Sequence, residues 1–325
     1  MKKHVIGLDG GGTKTVGVLL NNNGEMLGRT VAGSSNIQAI GEEELADTFK
    51  TLVEELLKQA KIENIEIDHI YAGLAGAGRP KDKERVARVF DALNLTKSYT
   101  VDTDAMAALA GSFSGGSGII VISGTGAICF GKDEQGNVVR CSGWGYLLGD
   151  EGSGFYIGQQ AIMAALKYLD GRGVKTALRA ELEKKYNLDS IDLIISPIYS
   201  GQIDRTEIAS NAPLVFDLAQ QGDAAAEQII QQAGIELGKI VAATAKRMKK
   251  ENQNVQVALI GSIFNQINVL LPFIKKETDP ISRHIDFIEP RWEPAIGSAL
   301  LGLQQEGISI NDELLETLTR TKLSA

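Results

Sequence analysis

The sequence predicts an α/β protein of two units built on one plan, and three observations carry that reading. Apolar runs of strand length alternate with longer segments of helical periodicity, which implies largely parallel sheets. At 325 residues the chain is too long for one simple core. A glycine-rich turn between apolar runs also occurs twice, as GLDGGGTKTVGVLLNNNGE at Gly7–Glu25 and VISGTGAICFGKDEQGN at Val121–Asn137. In both, a threonine precedes the glycine of the next polar turn by eleven positions, Thr13 to Gly24 and Thr125 to Gly136.

The elements follow in order. Lys3–Gly10 reads as a buried strand, and Thr15–Asn22 and Glu25–Gly33 as the next two. Asn23-Gly24 between apolar runs is a hairpin signal. Leu45, Phe49, Leu52, Val53, Leu56 and Leu57 lie at helical spacing, so Glu42–Lys61 is a helix. Asp68–Ala75 is a strand, Asp82–Leu93 a helix, Ser98–Asp102 a short strand, and Asp104–Gly111 the start of another helix. Ser112–Gly118, which contains FSGGSG, reads as the linker. Domains are therefore expected at 1–114 and 115–325. The pattern restarts with strands at Gly118–Ser123, Ala127–Lys132 and Asn137–Cys141. Ser153 caps a long helix reaching about Leu169. The stretch from Gly171 to Asn254 is mostly helical, most clearly Asp223–Lys249. Val255–Ile260 and Ile285–Glu289 are strands, and Pro294–Gln305 is a helix expected to pack back on the N-terminal domain.

Composition narrows the function. A net charge of −8 argues against nucleic acid and anionic membranes, which need basic surface. No apolar run approaches the ~20 residues that span a bilayer. The start MKKHVIGLDG turns glycine-rich and acidic too soon for a secretory signal, so a cytoplasmic protein is expected. Cys129 and Cys141 flank the Glu134–Asn137 turn almost symmetrically and read as reduced thiols facing each other on a hairpin. His4, His69 and His284 have no partner at metal-ligand spacing.

The glycine turns carry the chemistry. Backbone N–H groups converging from a tight turn bind phosphate well, glycine permits the close approach, and a threonine hydroxyl adds a donor. Asp9-Gly10-Gly11-Gly12-Thr13 and Ser123-Gly124-Thr125-Gly126 meet that need. Neither the P-loop nor the dinucleotide pattern fits: Lys14 follows threonine, and Thr15 and Cys129 stand where a third glycine belongs. Two matched turns suggest a polyphosphate held in the crevice between two units. Asp9, ending the first strand, is placed either to hold Mg²⁺ through water or to stabilise its turn.

LDGGGTKT, VDTDA, SGTGA and GWGYLLGDEGS, in that order, resemble the sugar kinase/heat-shock-protein-70/actin superfamily. Within it they are similar to the N-acetylglucosamine kinase branch, grouped with the activator-type ATPases of the benzoyl-CoA reductase system as BadF/BadG/BcrA/BcrD ATPases. AQQGD at Ala219–Asp223 and IGSIF at Ile260–Phe264 extend the resemblance over nearly the whole chain. It implies two ribonuclease H-like, actin-like ATPase domains with a central cleft, and a Mg²⁺- and ATP-dependent phosphorylation of an amino sugar hydroxyl, usually O6. N-acetylglucosamine leads as substrate, with glucosamine and N-acetylmuramic acid open. The family is often dimeric. Asp104 matches the catalytic base; Asp102 competes with it, and a helix N-cap is the plain alternative. The resemblance places Asn36, Ala127, Ile128, Gly143, Trp144, Gly145, Tyr146 and Asp150 at the sugar with Asp104. It places Gly11, Gly12, Thr13, Lys14, Gly124, Thr125, Gly126, Ala209, Gly261, Ser262 and Gln266 at ATP. Core packing is an equal alternative for Trp144. Ala127 and Ile128 depart from the family's Ser-Asn and put the exact sugar in question. An activator ATPase carrying an iron–sulfur cluster is the competing function.

Overall fold

The computed structural model describes residues 3–61, 66–282 and 284–322. It divides into two compact units, Met1–Ser117 with Pro290–Ala325, and Gly118–Glu289.

The first unit holds strands β1 (His4–Gly10), β2 (Thr15–Asn21), β3 (Met26–Ala32), β4 (His69–Leu74) and β5 (Ser98–Asp102), in the order β3-β2-β1-β4-β5. The β1–β2 and β2–β3 pairs are antiparallel; β1–β4 and β4–β5 are parallel. Strand alternation splits the apolar residues between two faces. Ile6, Leu8 and Leu19 pack with Leu45, Phe49, Leu52 and Leu56 of helix Glu42–Ala60. Val5, Val18 and Leu20 pack with Ala295, Ile296, Ala299 and Leu300 of helix Pro294–Gln305. With both faces covered, β2 is buried throughout.

The second unit repeats the plan with β6 (Gly118–Ser123), β7 (Ala127–Lys132), β8 (Val138–Ser142), β9 (Val255–Ile260) and β10 (Ile285–Ile288). Its order is β10-β9-β6-β7-β8, with β6–β7–β8 antiparallel and β6–β9–β10 parallel. Helices Gly154–Leu169 and Ala224–Arg247 bury their apolar faces in this unit's core. Among the described residues, no helix is long and apolar enough to cross a membrane.

Several boundaries differ from the sequence reading. The first helix after β4 begins at Pro80, because proline needs no hydrogen-bond acceptor in the first turn. Helix Asp104–Phe113 runs past Gly111, so the connection starts at Ser114 and Gly115, both in the left-handed region at φ 53 and 81. The change of unit falls after Ser117, and the segment from Pro290 groups with the first unit rather than with 115–289. Trp292 fixes that return, donating from its backbone N–H to Gly111 O at 3.1 Å and from Nε1 to Ser114 Oγ at 3.0 Å. A Cβ at Gly7 would overlap the Ala295 carbonyl and the Ala299 amide, so helix Pro294–Gln305 can lie this close to β1 only over glycine. A further helix, Asp312–Thr321, docks Leu314, Leu315 and Leu318 on the same face.

Candidate functional site

In the first unit, β1 delivers Asp9 and β5 delivers Asp102 to the ends of parallel strands on either side of β4, both in register with its Gly73. Helix Asp104–Phe113 starts directly after β5, and a Cβ at Gly73 would lie 2.6 Å from Ala107 Cβ in that helix. Asp104 is therefore carried to the same strand ends by a helix seated on a glycine.

The two carboxylates after Val101 have different fates. Asp102 accepts from the Tyr71 hydroxyl at 3.0 Å, Lys83 Nζ at 3.1 Å and the Thr103 N–H at 2.8 Å. The same burial and pairing push the Tyr71 phenol upward. Asp104, the first helical residue, accepts from backbone N–H groups, with Ala105 N at 2.9 Å, and has no side-chain donor among the described residues. Desolvation raises its carboxyl above the usual range despite those N–H groups, while the residue stays open to solvent. Asp9 is more enclosed. Burial first, then the Asp104 and Glu293 carboxylates, push it up to about 6, with Lys14 pulling the other way. Glu293, which the sequence reading missed, is held by a two-point hydrogen bond from Arg29 at 2.9 Å.

The first glycine turn is closed by Gly11 N–H donating to Lys14 O at 2.9 Å, and leaves Gly12, Thr13 and Lys14 exposed. Ser34 Oγ and Ser35 N–H both donate to Gly11 O, tying the turn to the segment that carries Asn36. Asn36 Oδ1 accepts from Gln38 N–H at 3.1 Å and lies against Gly76, whose φ is 82.

In the second unit, Gly124 N–H donates to Gly126 O, and the helix Gly154–Leu169 donates back through Gly154 N–H to Gly124 O at 2.7 Å. Ser153 caps that helix through Tyr156 N–H, and its own N–H binds Asp150 O. Gly12 and Gly124 precede the two matched threonines, and a Cβ at either would meet nothing within 4 Å. Neither has a left-handed φ. Within each unit, then, nothing about the fold requires glycine there; a ligand approaching the backbone would.

Gly124, Thr125, Ala209, Ser262 and Gln266 line a single cavity of about 450 Å³. Gly261, at φ 110, stands where a Cβ would overlap the Ser123 carbonyl, and this contact brings Ser262 beside the turn. The sequence reading missed Thr206, Phe216, Asp217 and Asn265 in the same wall. Thr206, Phe216 and Asp217 come from short helices inside a stretch whose periodicity does not separate one helix from the next, and Asn265 follows the IGSIF segment. An apolar wall with a few amide, hydroxyl and carboxylate groups suits a flat heterocycle with a polar sugar.

The remaining sugar candidates divide. Ala127 is buried in the core of the second unit, so only its backbone is available to a ligand. Ile128 faces the other way and packs on Gly143, whose φ is 73 and where a Cβ would lie 2.5 Å from Ile128 Cγ1. Trp144 is not a core residue: it is 65% exposed, with the Arg140 guanidinium 4.5 Å from its ring centre. Gly145 has φ 91 in the same exposed loop, and Tyr146 sets its ring edge-on to Phe155 at 5.1 Å. Asp150 is 4% exposed, takes φ 61, and pairs with Arg205 Nη2 at 2.9 Å. Cys129 and Cys141 are direct cross-strand partners and both are free thiols. Burial pushes Cys129 up to about 12, and Thr244 donates to its sulfur.

This arrangement has relatives. An N-acetylmuramic acid/N-acetylglucosamine kinase of Clostridium acetobutylicum is 34% identical over 299 residues, covering 92% of this chain and 98% of its own. An N-acetyl-D-glucosamine kinase of Dictyostelium discoideum is 29% identical, covering 94% of this chain and 99% of its own. A solved structure from Chromobacterium violaceum, provisionally described as an N-acetylglucosamine kinase, matches with a TM-score of 0.71 and 26% identity, over 93% of this chain and 99% of that one. The family match spans residues 6–302, and the chain belongs to the BadF/BadG/BcrA/BcrD ATPase family.

Proposed function

We propose that the protein is an ATP-dependent kinase that phosphorylates a hydroxyl, O6, of an amino sugar, with N-acetylglucosamine as the leading substrate. The observation that carries this is Asp104: a carboxylate at the strand ends, raised by desolvation and without a side-chain donor, beside an Asp102 that is fully engaged. An alcohol must lose its proton as it attacks, and a carboxylate within about 3 Å whose pKa is moved toward neutrality takes it well. In that step the sugar oxygen bonds to the γ-phosphorus, the bond to the β–γ bridging oxygen breaks, ADP leaves, and the proton passes to Asp104.

The adenosine is assigned to the cavity lined by Ala209, Phe216, Ser262 and Gln266. Phosphate contacts are assigned to Gly11, Gly12, Thr13 and Lys14 and to Gly124, Thr125 and Gly126. Acceptor contacts are assigned to Asn36, Asp150 and the Gly143–Tyr146 loop, with Ala127 and Ile128 contributing backbone. The raised carboxyl of Asp9, facing two further carboxylates, fits a hard divalent cation. Among the described residues no three ligands converge, so Asp9 would hold Mg²⁺ through water. Bound there, Mg²⁺ neutralises phosphate charge. The activator-ATPase reading is disfavoured by Cys129, whose thiol is buried in the core of its unit and is not exposed to ligate an iron–sulfur cluster.

The test is ADP release measured across N-acetylglucosamine, glucosamine, N-acetylmuramic acid and glucose, with the phosphate position read by phosphorus NMR. Turnover with an amino sugar and product at O6 is expected. ATP hydrolysis indifferent to every sugar would overturn the reading. Sedimentation tests whether the chain forms the homodimer that the family resemblance suggests.

A further inference from the structure

The second unit contains an ion pair that the phosphate turn and the acceptor loop do not themselves explain. Arg205 opens the five-residue helix Arg205–Ala209, and the next residue, Thr206, and the last, Ala209, line the 450 Å³ cavity. The Arg205 side chain turns away from that cavity to Asp150. Its Nη2 donates to Asp150 Oδ2 at 2.9 Å, and its guanidinium carbon stands 5.5 Å from the Tyr146 ring centre. Both partners touch the turn: a Cβ at Gly126 would lie 2.5 Å from Arg205 Nη2 and 2.8 Å from Asp150 Oδ2. The last residue of the turn, Gly126, thus leaves the room in which this pair lies.

The geometry is not that of a pair built for stability. A fork of two parallel hydrogen bonds is the strong arginine–carboxylate arrangement. Here one nitrogen meets one oxygen, and Arg205 Nε is buried without an acceptor. The Arg205 side chain is 39% exposed over a buried Asp150, and a half-exposed ion pair is a weak stabiliser. Asp150 meanwhile holds a left-handed backbone at φ 61, which asparagine and aspartate tolerate at a cost. Its backbone is pinned by Ser153 N–H, and its Oδ1 takes no donor among the described residues.

We propose that Arg205 is a positioning residue that presents Asp150 to the acceptor: it occupies Oδ2 and leaves Oδ1 to accept from a sugar hydroxyl. This rests on the kinase reading above. Because Arg205, Thr206 and Ala209 share one short helix, the guanidinium that holds Asp150 and part of the nucleotide wall are carried by the same element.

The experiment compares the full chain with Arg205→Ala, Arg205→Lys, Asp150→Asn and the Asp150→Asn/Arg205→Ala double variant, reading KM for sugar and for ATP separately. Arg205→Ala should raise the sugar KM about tenfold or more and change the ATP KM less than about twofold; Arg205→Lys should recover part of that loss, keeping the charge and one N–H donor on a differently shaped side chain. The double variant should be no worse than Asp150→Asn, because contacting residues are not additive. If Arg205→Ala does not fold, as judged by its thermal midpoint, Arg205→Lys against Asp150→Asn carries the comparison. Additive losses, or a loss confined to the ATP KM, would overturn the proposal while leaving the kinase reading standing. A wild-type protein that phosphorylates none of the sugars would remove both.

Discussion

The Tyr71 hydroxyl donates to Asp102 Oδ2 at 3.0 Å, and Lys83 takes the other oxygen at 3.1 Å. This pairing separates two aspartates that lie two residues apart in VDTDA. Asp102 is consumed in holding β4, β5 and helix Pro80–Leu93 together, and Asp104 is left available.

Asp104→Asn should therefore lower kcat by about 10²–10⁴ while ATP affinity holds, because it removes the proton acceptor and keeps the shape. Asp102→Asn should act mainly on the thermal midpoint. Coupled ADP release and calorimetry of a non-hydrolysable ATP analogue check both. Normal turnover in Asp104→Asn would sink the assignment of the base.

Asp9 makes a pH prediction of definite sign. Its native pKa of about 6 lies above the ordinary 3.8. Between those values the native state holds a proton that the unfolded chain has released, so stability falls as pH rises through the window. Asp9→Asn removes this cost, stabilising by about 1–3 kcal/mol above pH 7 and by less near pH 4. Thermal unfolding at pH 4.5 and 7.5 reads the difference; a gain larger at the lower pH contradicts the assigned cause.

The cavity wall predicts a nucleotide effect. Ala209→Leu places a larger side chain in the 450 Å³ space. It should weaken ATP-analogue binding about tenfold, or about 1.4 kcal/mol. Unchanged affinity in a folded variant would place the nucleotide elsewhere.

Gly7→Ala tests the packing of the C-terminal segment. Its methyl would overlap backbone of helix Pro294–Gln305, which cannot yield as a side chain tip can. A loss of about 3 kcal/mol is expected in denaturant unfolding, typical of overpacking against backbone. A neutral result would show that the helix does not need this close approach.

The repeated plan was legible because its signals are local. Strand alternation, the Asn23-Gly24 and Gly136-Asn137 turns, and Ser153 as a cap act over a few residues, and β5, β6, β7 and β9 fall where the sequence reading put them. The helix Asp312–Thr321 was missed although its leucines are periodic; it is short, and its place is set by Gly24, over which Leu314 O closes. Arg205 gave no signal, since an arginine in a helical stretch is ordinarily a solvated charge.

Sequence alone determined two α/β units and matched glycine–threonine turns, because these depend on residue type and spacing along the chain, and the family resemblance narrowed the base to Asp104 or Asp102. Only the tertiary structure decided that Asp102 is occupied and Asp104 is not, that Ala127 faces the core while Trp144 stands in solvent, and that Arg205 reaches Asp150 across Gly126. Those distinctions depend on which groups compete for the same donors and the same space, and the competitors lie tens of residues apart until the chain folds.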